Sequence, residues 1–114
     1  TGPISYDQLP QIYANATCFV LTSLVENFPH TLVEAMSTGC PIVSSKQIPT
    51  SEICEEAALE CDAYDAGDVA DKIVSVIRDS ALCEDMRAAG MRRADHFDWS
   101  KLALEYLNVF TELK

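Results

Sequence analysis

Two short apolar runs, residues 18–22 and Ile42–Ser45, constrain the fold of this chain more than any other feature. Each is too short for a helix and is bounded by turn-forming or polar residues. Strands buried on both faces read as continuous apolar segments, whereas half-exposed strands alternate. Between the two runs lies a helix-length segment that opens near Pro29, a residue favoured at the first helical position, and stops at Gly39, a natural C-terminal cap. Strand, helix and strand in that order predict an α/β fold: a parallel sheet with helices on both faces.

The flanking sequence continues the alternation. Ser5 with Gln8 predicts a capping box for a first helix of about ten residues that carries Leu9, Ile12, Tyr13 and Ala16 on one side. After Pro49 a helical turn with Glu52 and Ile53 leads to a small strand over Ala58–Cys61. Three helices close the chain. Asp65 or Asp68 opens one bearing Val69, Ile73, Val76 and Ile77; the next follows Ser80, carries Leu82 and Met86 and runs towards His96. Asp98 caps the last, where Trp99, Leu102, Ala103, Tyr106, Leu107, Phe110 and Leu113 recur at helical spacing, the pattern of a core or docking face. Three strands leave a sheet edge without a partner, so the sheet reads as incomplete on its N-terminal side.

Composition narrows the function classes. The 114 residues hold 8 basic and 18 acidic side chains, a net charge of −10, so polyanions such as nucleic acid or an anionic membrane surface are poor partners. No apolar run approaches the length that spans a bilayer, which argues against direct membrane insertion. The start Thr-Gly-Pro-Ile-Ser lacks the basic and apolar regions of a signal peptide and an initiator Met. One domain, read as a piece of a longer cytoplasmic protein, is the expectation, with any membrane contact left to parts outside this chain. Cys18, Cys40, Cys54, Cys61 and Cys83 form no C-x-x-C pair and stand away from His30 and His96, so neither a disulfide framework nor a metal site is expected. The sequon Asn15-Ala16-Thr17 would matter only in a secretory lumen.

The stretch with chemical content is residues 23–36. Glu26 falls in the loop after the first strand, and Glu34 follows inside the second turn of the helix that this loop opens. A helix beginning at Pro29 puts Glu34 about 7–8 Å along its axis, with His30 projecting within about 40° of the same direction. Strand ends, a short loop and a helix N-terminus make an anion site in open parallel sheets, because unpaired amides and the helix dipole favour phosphate. Carboxylates beside such a site suit a ligand whose phosphates lie between hydroxyl-bearing groups, since a carboxylate accepts hydrogen bonds from vicinal hydroxyls. A nucleotide sugar has that form. No Lys or Arg occurs in residues 1–45, which leaves Lys46, at the end of the second apolar run, as the nearby candidate cation.

Glu26 to Glu34 with Glu-Ala-Met, Gly39-Cys40-Pro41-Ile42-Val43 and Ser44-Ser45 resembles the donor-binding segment of retaining GT-B glycosyltransferases of family 4. The likeness extends to Gly2, Leu9 and Tyr13 before it and to Gly90, Arg93, Ala94, Phe97 and Trp99 after it, nearly the whole chain. The resemblance implies the C-terminal portion of a Rossmann-like, three-layer nucleotide-sugar-binding domain, completed by an acceptor-binding N-terminal domain absent from this chain. It implies that the E-x7-E pair divides its work, Glu26 contacting the transferred sugar and Glu34 the ribose hydroxyls. Backbone amides around Asn27, Phe28, His30 and Thr31 would meet the sugar or diphosphate. It further implies transfer of a hexose-like sugar with retained anomeric configuration, no cofactor and no bound metal, and an inactive isolated fragment. Asn27 and Pro29 replace the glycines of the commoner Glu-Gly-Phe-Gly form, and Pro29 has no N–H to donate.

A second class of function competes. Residues 52–71 carry eight carboxylates and no cation, an acidic face that suits a noncatalytic interaction module as well as a solvated surface. His30 as a general base and a receiver-like domain are weaker readings, the latter because no clustered acidic pocket stands at the strand ends.

Overall fold

A computed structural model describes residues 2–113. A 3-10 turn, Tyr6–Gln8, leads into α1 (Leu9–Asn15), followed by β1 (Phe19–Leu21), α2 (His30–Ser37), β2 (Ile42–Ser45) and α3 (Thr50–Cys54). A second 3-10 turn, Glu55–Ala57, joins β3 (Ala58–Cys61), and α4 (Ala66–Arg78), α5 (Ser80–Ala94) and α6 (Trp99–Glu112) complete the chain. The three strands are parallel in the order β1-β2-β3, with Phe19 opposite Ile42 and Ile42 opposite Ala58. The parallel α/β architecture is therefore the one its apolar runs predict, Rossmann-like as the resemblance implies.

β2 is the central strand and is wholly buried. Its alternation divides the core, since successive side chains point to opposite faces of a sheet. Ile42 joins Tyr13, Leu32, Ala35, Met36 and Ile53, contributed by α1, α2 and α3, while Val43 joins Cys61, Val76 and Met86 under α4 and α5. Leu32 and Met36 are fully buried, each stabilising the fold by about 1.5–3 kcal/mol through removal of apolar surface from water. Phe19 N–H bonds the Pro41 carbonyl, which orients the backbone groups of Val20 towards the open side of β1. Among the described residues β1 and β3 are the outer strands, each with one unpaired edge.

Helix ends follow local chemistry, with some departures. Asp65 caps α4 by accepting from the Gly67 and Asp68 amides, and Asp98 caps α6 through the Ser100 amide. Gly39 adopts φ +69° after α2, the left-handed conformation that a non-glycine residue resists. The Ser5–Gln8 capping box does not form. Ser5 makes no side-chain cap, and the first helix is split into a 3-10 turn and α1, with Pro10 in the first turn of α1 where its missing N–H costs nothing. β1 is shorter than the apolar run, and α5 begins at Ser80 itself with Asp79 as its cap, one position earlier than a helix that follows Ser80.

α6 forms as expected behind its Asp98 cap, but its stripe is not core. None of its residues is buried, and Trp99 is 71% exposed, so its apolar stripe forms no core with the described residues. His96 is likewise exposed, its Nδ1 3.2 Å from the Arg92 carbonyl. The acidic face also differs from its sequence count, because the fold brings cations to it. Glu55 pairs with Arg93 at 2.9 Å, Asp62 with Lys46 at 2.8 Å, Asp68 lies 3.9 Å from Lys72, and Asp65 is spent as a helix cap. No helix among the described residues is long and apolar enough to cross a membrane.

Candidate functional site

In a parallel sheet all strand C-termini open on one side, and here that side gathers the loop after β1, Lys46 after β2 and Asp62 after β3. The loop is anchored from beneath. Ser45, fully buried at the end of β2, donates its hydroxyl to the Ser23 carbonyl at 2.8 Å, and Thr50 donates to the Ser45 carbonyl at 2.6 Å. Glu26 sits half-buried farther along the loop, Asn27 is exposed, and Pro29 is buried as the N-cap of α2.

The amino end of α2 is open. Pro29 offers no side-chain cap and no acidic residue stands in the first turn. Leu32 N–H bonds the Pro29 carbonyl at 3.0 Å, whereas the His30 and Thr31 amides precede the first intrahelical acceptor. Those amides, with the positive end of the helix dipole, favour an anion. Both residues are exposed.

Glu34 is half-buried on the second turn of α2, with both carboxylate oxygens occupied. Tyr6 Oη donates to Oε1 and Tyr13 Oη to Oε2, each at 3.2 Å. Burial, then the hydrogen bond to Glu34, pushes the Tyr13 hydroxyl up to about 12. A pocket of about 180 Å³ adjoins this arrangement, lined by Tyr6, Leu9, Pro10, Tyr13, Glu34, Ser37 and Thr38. The two tyrosines are site residues that sequence reasoning missed. Their phenols come from a different element, and neither spacing nor composition pairs them with a glutamate 28 and 21 positions away.

His30 and Glu34 do not converge, although ideal helical geometry puts them on one side. The His30 ring lies 5.0 Å from Phe28 and stacks on Trp99 at 6.1 Å between centroids, interplanar angle 26°. It thereby lines a larger cleft of about 620 Å³ between the α2 loop and the start of α6, with Phe28, Phe97, Asp98, Trp99 and Tyr106 among its walls. At the first helical position a side chain has no preceding turn to guide it, and the aromatic neighbours take it. Glu26 lines neither this cleft nor the Glu34 pocket. Neither cavity therefore brings Glu26, His30 and Glu34 together.

Lys46 is not a free cation. Its ammonium pairs with Asp62 at 2.8 Å, which raises the lysine and lowers the carboxyl from their ordinary values, the hydrogen bond being the main cause of each. Among the described residues no group of three or more His, Cys, Asp or Glu side chains could hold a metal ion. Burial raises the thiols of Cys18, Cys40 and Cys61 and pushes that of Cys54 up to about 11, which makes these four poor nucleophiles.

The model of the family described as Glycosyl transferases group 1 matches residues 1–93. O-antigen chain mannosyltransferase B of Escherichia coli is 30% identical over 109 residues, covering 96% of this chain and 29% of that protein. D-inositol 3-phosphate glycosyltransferase of Nocardioides sp. is 27% identical over 110 residues, covering 95% and 24%. Among solved structures, sucrose-phosphate synthase from Thermosynechococcus elongatus superimposes with a TM-score of 0.88 at 28% identity, covering 99% of this chain and 29% of its own. The chain thus spans less than a third of the length of each of these proteins.

Proposed function

The chain belongs to the glycosyl transferases group 1 family, and from that premise we propose that it forms the C-terminal portion of the nucleotide-sugar-binding domain of a family 4 glycosyltransferase. The observation that carries this reading is the open amino end of α2 at the C-terminal side of a parallel sheet, preceded by Glu26 and followed by Glu34. The parent enzyme moves a hexose-like sugar from a nucleoside diphosphate to an acceptor held by a second domain, in the cytoplasm.

Each part of the donor has a counterpart in this reading. The His30 and Thr31 amides receive the diphosphate, whose charge grows as the glycosidic bond to it breaks, so fixed donors there favour the transition state over the ground state. Pro29 gives no amide, which leaves this task to the residues after it. Glu34 accepts from the ribose hydroxyls, and Glu26, on the other side of the phosphates, from the transferred sugar, with the Asn27 and Phe28 backbone beside it. Lys46 reaches a phosphate only by leaving Asp62, so it is the least committed member of the set. No metal and no cofactor take part. Closure against the acceptor domain supplies proximity, which an isolated donor wall lacks, so the 114 residues alone are inactive.

The test is sugar transfer by the full-length protein. Glu26→Ala and Glu34→Ala each lower turnover by at least about a hundredfold, the scale of a lost transition-state contact, with the thermal midpoint held. Wild-type turnover in both variants removes the assignment. The competing reading as an acidic docking module is disfavoured by the pairing of Glu55 and Asp62 with cations.

A further inference from the structure

Glu34 is the only carboxylate of the described residues with a tyrosine hydroxyl on each oxygen, and the two tyrosines differ in kind. Tyr13 is 9% exposed, its ring edge-on to Phe19 at 5.5 Å between centroids within the core formed by α1 and α2. It cannot leave Glu34 without disturbing that packing. Its hydroxyl, pushed up to about 12, remains a donor throughout the physiological range. Tyr6 is 75% exposed on a three-residue 3-10 turn and can swing into solvent at little cost.

We infer that Tyr13 is a positioning residue that fixes the Glu34 carboxylate for a ribose diol, and that Tyr6 is an exchangeable stand-in whose hydroxyl yields Oε1 to the ligand. The inference rests on the donor-site reading above and deepens it. A carboxylate held at one oxygen by a buried donor presents the other in a fixed direction, so little rotamer freedom is lost when a ligand hydroxyl arrives. The pocket of about 180 Å³ beside Glu34 is lined by Tyr6 and Tyr13 on one side and by Glu34, Ser37 and Thr38 of the α2 segment on the other, so it offers room next to the carboxylate. Discrimination between ribose and 2′-deoxyribose then depends on Tyr13 although Tyr13 does not touch the ligand, because an acceptor aimed at the 2′-hydroxyl is left unpaired when that hydroxyl is missing.

The experiment measures, on the full-length protein, the affinities of ADP, GDP and UDP and of their 2′-deoxy counterparts for wild type, Tyr13→Phe, Tyr6→Phe and Glu34→Gln. Tyr13→Phe keeps the ring and therefore the packing. It is expected to reduce the ribose preference about five- to tenfold, the worth of one hydrogen bond, leaving the 2′-deoxy affinity unchanged and the fold intact by circular dichroism. Tyr6→Phe is expected to tighten ribonucleotide binding about two- to threefold by removing a competing donor. An unaltered ribose preference in Tyr13→Phe overturns the positioning role while leaving the donor site in place, and weaker binding by Tyr6→Phe overturns the exchange. A ribose preference that survives Glu34→Gln, or no binding by any of the three nucleotides, overturns the donor-site reading and this inference together.

Discussion

The Tyr13 hydroxyl donates to Glu34 Oε2 at 3.2 Å across 21 positions of sequence, tying the core of α1 to the second turn of α2. A fixed end and an open face meet at Glu34. One oxygen is anchored from the interior, and the other is covered only by the exposed Tyr6.

That contact sets an alkaline limit on stability. Tyr13 ionises near its ordinary value of 10.0 when unfolded and near 12 when folded, so the folded chain holds the proton more tightly. Its contribution is complete below pH 10 and disappears as pH rises through 12. Urea unfolding across this window should show the stability gap between wild type and Tyr13→Phe narrowing with rising pH. A gap that stays constant would contradict the raised ionisation.

Two glycines should respond with opposite signs. A Cβ at Gly39 would sit at φ +69° and meet Met91 Sδ at 3.4 Å, so Gly39→Ala costs about 1–2 kcal/mol. In the interior of α5, a Cβ at Gly90 meets Met36 at 3.5 Å, ordinary contact, and Gly90→Ala gains up to about 1 kcal/mol of helix propensity. Chemical denaturation midpoints of the two variants, moving in opposite directions from wild type, check the pair.

Arg93 clamps α3 to α5. Its guanidinium donates to the Ile53 carbonyl at 2.9 Å and the Glu52 carbonyl at 2.8 Å, pairs with Glu55 and lies 5.0 Å over the Phe97 ring. Removing it leaves carbonyls unpaired, so Arg93→Ala should lose about 2–3 kcal/mol in equilibrium unfolding. Arg93→Lys should recover little of this, because an ammonium cannot serve the forked arrangement.

Ser45 holds the start of the site loop. Ser45→Ala leaves the Ser23 carbonyl without its buried partner and should cost about 1–3 kcal/mol. Faster hydrogen exchange at Glu26, Asn27 and Phe28 than in wild type would report the same loss as local loosening, whereas unchanged exchange would show the loop anchored elsewhere.

What the sequence revealed follows the range of the forces involved. β2 and β3, the Asp98 cap and the choice of Asp65 or Asp68 as a cap were legible because each is fixed by residues within a few positions. The Ser5–Gln8 box failed against Pro10, an equally local signal that starts α1 without a side-chain cap. The partners of Glu34 and Lys46 were invisible, because Tyr6, Tyr13 and Asp62 are brought there by tertiary folding. Helical spacing put His30 beside Glu34, but rings from Phe28 and Trp99 outweighed it. The stripe on α6 read as core or docking face, and its periodicity is the same whether or not a partner covers it.

The most direct test of a donor site at the head of α2 is amide chemical-shift mapping of the protein with ADP, GDP and UDP. Saturable shifts, with at least one of the three, are expected at the His30 and Thr31 amides and in the Asn27–Phe28 loop. Shifts confined to the cleft around Trp99 and Tyr106, or no shifts with any of the three, would contradict it.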